Sequence, residues 1–439
     1  MCFSKFLTYI YTLSLVFTLT EQFSGHSQIV TMGGAFSWIQ KKIMTEEEPV
    51  YEFANNLEDF GYFFNEEGKL RKKGTDEPFE FNVQEGNHHY NQKHYNALGD
   101  IITEKIYQMM EKDYKLQRSY LPVNAEEGEP QSFVFISGDL YTNSDKLMIL
   151  VHGNGVVRAG QWARRLIIND CLDSGTQLPY IKWARENGYA VIVANTNINT
   201  GELPNNKKKK PVPIKGNATP EEHMESLWRE FVQRCSVKHI AIVAHSYGGV
   251  CTLELAKKHL REFEERVFAI ALTDSVHGLR GQEAEPEVVS YYKQHVVNWA
   301  SAYDPLDAPL ITTTDEVPTV SAGTDKHENT SYSSMHSIFK FFKEKYEETV
   351  NPSNKCKNEG DSNDQILPAS DTPARDQGEG EETKDLTNQM EEQAQTDQSG
   401  TDMKESGSLE QTESSQSETI PGDHAVTVDE VNPEVKSEL

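Results

Sequence analysis

Short β-branched runs alternate with amphipathic stretches from about residue 130 onward, and this alternation restricts the fold more than any other feature. The predicted strands are Phe133–Ile136, Leu147–Val151, Ala190–Asn195, Ile240–Ala244, Val267–Leu272 and Thr319–Ala322. Helical patterns occupy 161–170, 178–187, 220–235, 249–264, 286–301 and 333–347. Such alternation predicts an α/β fold with a mainly parallel sheet and helices on both faces. The first two strands are predicted to be antiparallel, because the segment joining them is too short for a crossover helix.

Two segments flank the predicted α/β domain at 129–350. Residues 45–128 contain the aromatic stretch FGYFFNEEGKLR and a helical pattern over Ala97–Lys112 whose apolar stripe needs a packing partner. We therefore expect an N-terminal extension packed on the main domain. Residues 351–439 hold 22 Asp or Glu, 6 Lys or Arg and no aromatic residue. They cannot bury enough apolar surface to fold alone, so they are predicted to form a disordered acidic tail.

Charge and cysteine usage exclude several classes of protein. A net charge of −27 makes the chain a poor general binder of nucleic acid, because phosphate contacts require a basic surface. Past the first thirty residues no apolar run is long enough to predict a membrane-spanning helix. The five cysteines are odd in number and contain no CxxC pair, so neither a disulfide framework nor a zinc site is expected. No cofactor is predicted.

Both ends of the chain have the form of targeting segments. Residues 1–27 combine one Lys, an apolar stretch and terminal small residues, which is typical of a secretory signal peptide; the alternative is a helix packed on the domain. The last four residues resemble the KDEL retention signal, and they are Lys436, Ser437, Glu438 and Leu439. Together the two ends predict a population in the endoplasmic reticulum.

A basic run lies in the middle of the chain and favours a second location. Lys207, Lys208, Lys209 and Lys210 are consecutive and are followed by Pro211. Such a run is either a nuclear import signal or a solvated loop.

A predicted nucleophile follows the strand Ile240–Ala244 in the sequence AHSYGG. This is the G-x-S-x-G elbow with Ala in the first position, and small residues are required there because the strained turn brings neighbouring backbones close together. We expect the hydroxyl of Ser246 to stand above the sheet at a helix N-terminus. The N–H of Tyr247 would then help to stabilise an oxyanion.

A second loop, HGNG, follows Leu147–Val151 directly. It resembles the glycine-rich oxyanion loop of esterases, in which backbone N–H groups face the substrate oxygen. Gly153 and Asn154 are therefore predicted to contribute to the oxyanion hole. The alternative is an ordinary tight turn after a buried strand.

A third loop, SAGTDKHE at 321–328, lies between the last predicted strand and the last helix. A hydrolase of this fold places its general base there, which favours His327. His336 is a second choice, although it falls within the predicted helix, and His277 is a further alternative.

The acidic member of the predicted triad is the least determined by sequence. Asp274 ends the strand Val267–Leu272 and could orient the imidazole, while Asp304 and Asp307 lie on the later connection. Asp274 could equally be a turn or helix-capping residue.

Four stretches carry a resemblance to the Argonaute-binding-protein-two domain, namely VHGNGVVRAGQWARRLIIND (151–170), AHSYGG (244–249), LTDSVHG (272–278) and SAGTDKHENTS (321–331). That domain occurs in a small-RNA Argonaute chaperone and as an appendage of class II histone deacetylases. FGYFFNEEGKLR and the KSEL ending resemble its vertebrate cotranscriptional regulator branch. The resemblance covers about residues 45–347.

The resemblance implies an α/β-hydrolase-like fold and a role in alternative splicing. It also implies binding to Argonaute and to chromatin remodelling and splicing factors, in the nucleus and cytoplasm, with Ser246 as a candidate nucleophile. It brings no established substrate. Two hypotheses therefore stand: an adaptor that uses the hydrolase fold as a scaffold, and a serine esterase or thioesterase of the endoplasmic reticulum lumen.

Overall fold

A computed structural model of the chain describes residues 50–204, 210–312 and 316–352. The predicted signal peptide, the acidic tail and its KSEL ending lie outside these residues. Of the basic run, only Lys210 lies within them.

The strands alternate with helices as the sequence predicts. In chain order the strands are β1 (Tyr62–Phe64), β2 (Leu70–Lys72), β3 (Leu116–Leu121), β4 (Ser132–Ser137), β5 (Lys146–Val151), β6 (Tyr189–Val193), β7 (Thr200–Gly201), β8 (Val212–Pro213), β9 (His239–His245), β10 (Val267–Thr273), β11 (Val296–Ala300) and β12 (Thr319–Ser321). The helices are α1 (His88–Lys112), α2 (Arg164–Asn169), α3 (Leu172–Gly175), α4 (Leu178–Glu186), α5 (Pro220–Leu227), α6 (Tyr247–Lys258), α7 (Leu260–Arg266), α8 (Pro286–His295), α9 (Thr330–Ser333) and α10 (Met335–Val350).

An eight-stranded sheet has the order β12-β11-β10-β9-β5-β6-β4-β3. β4 runs antiparallel to both its neighbours, β3 and β6, and the remaining adjacent pairs are parallel. The prediction of a mainly parallel sheet is thus confirmed. β4 and β5 do run in opposite directions, but they do not pair, because β6 lies between them.

Buried side chains cover both faces of the sheet. In β5, Ile149 belongs to a cluster that includes residues of α5, α6 and α8, while Met148 and Leu150 belong to a second cluster with α1, α4 and α10. The division follows from the strand geometry, since successive side chains point to opposite faces. Helices therefore pack on both faces, as predicted.

The N-terminal segment is part of the same core. Leu98, Ile102 and Ile106 of α1 are fully buried in the second cluster, which also contains Phe135 of β4. Strand β3, within the predicted extension 45–128, pairs with β4 over its whole length. The segment predicted to pack on the main domain therefore also supplies β3, the edge strand of the sheet.

One predicted helix extends too far. The pattern at 286–301 predicts a single helix, but α8 ends at His295 and β11 begins at the next residue. β-Branched Val296 and Val297 favour the extended backbone, and β11 pairs in parallel with both β10 and β12. No turn residue separates the two elements, so the sequence pattern does not mark the junction.

Candidate active site

Ser246 lies at the sharp turn between β9 and α6. Its backbone has φ +52° and ψ −120°, a conformation that non-glycine residues rarely adopt. The turn is held on both sides: the Ser246 N–H donates to Thr273 O at 3.0 Å, and its carbonyl accepts from Gly249 N at 3.1 Å. The local geometry is that of a nucleophile elbow.

The glycines that follow Ser246 permit close packing at the elbow. A Cβ at Gly248 would lie 2.8 Å from Val151 O and 2.9 Å from His152 O, the backbone that leads into the HGNG loop. A Cβ at Gly249 would overlap Ser275 Oγ. Ala244, two residues before Ser246, is fully buried. Small residues are required at these positions because neighbouring backbone and loops lie too close for a larger side chain.

Asp274 and His327 are joined by a hydrogen bond. His327 Nδ1 lies 2.8 Å from Asp274 Oδ2, and the other carboxylate oxygen accepts from Ser301 N at 3.0 Å. Burial raises the pKa of Asp274, but the bonds from His327 and Ser301 outweigh burial and hold this pKa below its ordinary value. A carboxylate at Nδ1 leaves Nε2 of a neutral imidazole as the proton acceptor.

The other predicted acids are placed elsewhere. Asp307 accepts from Trp299 Nε1 at 2.9 Å and from Ser337 Oγ at 2.6 Å, so its carboxylate holds α10 against β11. Asp304 contributes its backbone carbonyl to Ser321 Oγ at 2.7 Å. Among the described residues, Asp274 is the carboxylate that contacts His327.

The alternative bases have different surroundings. His277 Nδ1 lies 2.9 Å from Ser275 Oγ, and its Nε2 lies 4.0 Å from Glu316. The side chain is 3% exposed, and burial lowers the pKa of His277 to about 4. His336 is exposed on α10, beside Phe339. In contrast, the side chain of His327 is 49% exposed beside its carboxylate.

Ser246 Oγ forms no hydrogen bond within the described part of the chain. A catalytic Ser–His bond often tightens only when substrate binds, so the absence of this bond among the described residues excludes neither a scaffold nor an enzyme. The ring of His245, the residue before Ser246, lies 4.7 Å from the ring of His327, centroid to centroid.

His245 is a site residue that the sequence analysis did not single out. Its Nδ1 lies 3.0 Å from Thr273 O, and Thr273 Oγ1 lies 2.7 Å from Ser331 Oγ. Burial, followed by the nearby His327, lowers the pKa of His245 to about 3, so this ring is neutral. His245 stands at a position of the G-x-S-x-G motif where any residue is allowed, so the motif does not identify it.

The predicted oxyanion residues converge on the elbow. A Cβ at Gly153 would lie 3.1 Å from Ser246 Cβ. Tyr247 is the first residue of α6, so its N–H has no partner within the helix. The Gly153 carbonyl accepts a hydrogen bond from His152 Nδ1 at 2.8 Å. The N–H of Asn154 belongs to the same trans peptide and therefore points in the direction opposite to this carbonyl.

Within residues 50–204, 210–312 and 316–352, no group of three or more His, Cys, Asp or Glu could hold a metal ion. None of the helices in these ranges combines the length and apolar character needed to cross a membrane.

The strand order and the elbow after β9 define an α/β-hydrolase-like protein. Its candidate triad residues occur in the chain order Ser246, Asp274, His327. The chain belongs to the Arb2 domain family, whose model matches residues 53–306.

Several named relatives share most of their length with this chain. It is 43% identical over 346 residues to the cotranscriptional regulator ARB2A homolog of Xenopus tropicalis, covering 69% of this chain and 82% of that protein. The human cotranscriptional regulator ARB2A is 42% identical, with 69% and 83% covered. The Dictyostelium discoideum homolog is 33% identical, with 66% and 80% covered.

Similarity to solved structures is more distant. The histone deacetylase Clr3 matches with a TM-score of 0.39 and 15% identity, covering 56% of this chain and 39% of that chain. A thermostable esterase matches with a TM-score of 0.31 and 13% identity, covering 52% and 62%. The fold class rests on the strand order of this chain.

Proposed function

We propose that this chain is a cotranscriptional regulator in which the α/β-hydrolase-like fold serves as an adaptor between Argonaute and chromatin or splicing proteins. The observation that carries the regulatory role is the 43% identity to a protein of that name, with 82% of its length covered. The proposed partners, Argonaute and chromatin or splicing proteins, are those that the family resemblance implies. The proposed locations are the nucleus and cytoplasm, with a population in the endoplasmic reticulum.

Association with Argonaute tests the adaptor role. Ser246→Ala removes one oxygen from the half-buried elbow, so a complex formed through the outer surface should keep its yield in co-precipitation. Loss of the complex from a folded Ser246→Ala protein would contradict the scaffold function.

Two sequence changes test the proposed locations. Replacing Lys207–Lys210 by Ala should lower the nuclear fraction and thereby reduce association with Argonaute in cells. In a lysate, where the compartments are mixed, the association with Argonaute should return to the wild-type level. Deleting Lys436–Leu439 should increase secretion if residues 1–27 direct translocation. An unchanged distribution in either test would show that the segment changed in that test does not act as a targeting signal.

A second function, serine hydrolysis of a small ester, thioester or amide, is favoured by the 2.8 Å bond between His327 and Asp274 beside the elbow. His327 Nε2 would take the proton of Ser246 Oγ as that oxygen attacks the acyl carbon. The N–H groups of Tyr247 and the HGNG loop would stabilise the oxyanion. His327 would then protonate the leaving group, and water would release the acyl group from Ser246.

Labelling with a fluorophosphonate probe tests this chemistry directly. The wild type should label, whereas Ser246→Ala and His327→Ala should not, because a serine hydroxyl needs an adjacent base. His336→Ala is the matched control, since its ring is exposed on α10. A folded wild type that never labels, or labelling that survives in Ser246→Ala, would refute the hydrolase function.

A further inference from the structure

Two carbonyl groups of the segment after β5, those of Gly153 and Val157, accept hydrogen bonds from the same side chain, Asn197. Asn197 lies in the connection after β6, the strand next to β5 in the sheet. Its Nδ2 lies 3.0 Å from Gly153 O and 3.0 Å from Val157 O. One amide group thus ties together two points, four residues apart, in the loop that follows β5.

The orientation of this amide follows from its neighbours. Exchange of its nitrogen and oxygen would place Oδ1 against the same two carbonyl oxygens, which are acceptors only. The observed Nδ2 therefore belongs on the side of Gly153 and Val157. Oδ1 is buried and has no hydrogen-bond partner among the described residues.

The segment that carries Asn197 is anchored at Asn195. Asn195 donates its backbone N–H to His223 Nε2 at 3.1 Å and accepts from Ala159 N at 3.0 Å. Both Asn195 and His223 are fully buried. These two bonds anchor the connection after β6 two residues before Asn197.

Because a peptide unit is planar, a fixed Gly153 carbonyl also fixes the direction of the Asn154 N–H. His152 Nδ1 contacts the same carbonyl at 2.8 Å from within the HGNG loop. Asn197 is the contact that comes from a different connection. An oxyanion donor stabilises a transition state only when it is oriented beforehand.

We propose that Asn197 is a positioning residue for the oxyanion hole: its two donated hydrogen bonds hold the Gly153–Asn154 peptide with the N–H facing the Ser246 hydroxyl. This proposal rests on the serine hydrolase function proposed above. It assigns Asn197 no contact with the substrate.

Asn197→Asp tests the proposal, because a carboxylate has nearly the same shape but accepts hydrogen bonds instead of donating them. The control is Asn199→Asp. Asn199 is also half-buried on this connection and also donates to a carbonyl, Asn217 O at 2.9 Å, but not to the HGNG loop. Both variants of the full chain are reacted with a fluorophosphonate, and the maximal labelling rate and half-saturating probe concentration are measured.

We expect Asn197→Asp to lower the maximal labelling rate about 100-fold, as loss of an oxyanion donor does. The half-saturating concentration should change little, since the oxyanion develops only in the transition state. Asn199→Asp should label at nearly the wild-type rate. Thermal unfolding of both variants separates this effect from loss of the fold.

Equal labelling rates in Asn197→Asp and wild type would overturn the positioning role while leaving the hydrolase function intact. Equal losses in the two variants would do the same, because they would reflect general loosening. A folded wild type that does not label would refute the hydrolase function, and the positioning role with it. If Asn197→Asp does not fold, Asn197→Ala is judged by the same criteria.

Discussion

Replacement of Gly248 by Ala is expected to destabilise the protein, although the same change in a helix usually has the opposite effect. Gly248 is the second residue of α6, and Ala is about 1 kcal/mol more favourable than Gly within a helix. The new Cβ, however, would lie 2.8 Å from Val151 O and 2.9 Å from His152 O. Both are backbone atoms, and Val151 belongs to the central strand β5.

The magnitude follows from this comparison. Overfilling a well-packed interior costs about 1–3 kcal/mol, and the upper part of the range applies here because no side chain can rotate away. After subtraction of the helix gain, we expect a loss of about 1–2 kcal/mol in the free energy of unfolding. The midpoint of thermal unfolding should fall by about 2–3 °C.

Gly249 provides the matched comparison. A Cβ there would meet a side chain instead of backbone, overlapping Ser275 Oγ and lying 2.8 Å from Ser275 Cβ. Ser275→Gly should therefore rescue Gly249→Ala, with a coupling of about 1 kcal/mol, and should not rescue Gly248→Ala. Urea unfolding of the single and double variants measures both couplings. A Gly248→Ala protein as stable as the wild type would refute the argument.

Three further predictions concern the acid and the N-terminal helix. Asp274→Asn should abolish fluorophosphonate labelling of Ser246, because it removes the carboxylate at His327 Nδ1. Asp307→Asn should still label, because the Asp307 carboxylate does not contact that ring. Loss of labelling in both variants would refute the assignment of Asp274 as the acid of the triad. The pKa of Asp274 is lower in the folded state than in the unfolded state, so its stabilisation is present above about pH 4 and is lost as pH falls through the folded pKa. The difference in unfolding free energy between wild type and Asp274→Asn should therefore shrink as the pH falls below about 4, and a constant difference would contradict the sign. Ile102→Ala should cost about 2–5 kcal/mol in urea unfolding, because Ile102 is fully buried; a change below about 0.5 kcal/mol would place α1 outside the core.

The sequence predicts most of the sheet because buried parallel strands are short apolar runs between turn residues. It does not predict β3, whose sequence LQRSYL is largely polar, as an edge strand with one exposed side allows. Nor does it predict β11, which begins without a turn at the end of α8. In both cases pairing with a neighbouring strand decides the structure, and pairing is not visible in a local pattern.

For the candidate site, local sequence identifies the elbow but not the contacts between loops. The motif around Ser246 has strict size requirements, and the structure explains them through the backbone of the HGNG loop. The choice among Asp274, Asp304 and Asp307 depends on which carboxylate reaches His327, and only the arrangement of the sheet decides it. Asn197 carries no motif, because its role lies in two contacts with a loop about forty residues earlier.

The backbone at Ser246 shows what the elbow costs the protein. A positive φ at a non-glycine residue is unfavourable by about 1–3 kcal/mol, whereas glycine adopts it freely. Even after the greater freedom that glycine gives the unfolded chain, Ser246→Gly should be roughly 1 kcal/mol more stable than Ser246→Ala. A chain that only presented an outer surface would be more stable with glycine at this position. With serine there, the chain keeps a strained backbone at the turn between β9 and α6 at the expense of stability.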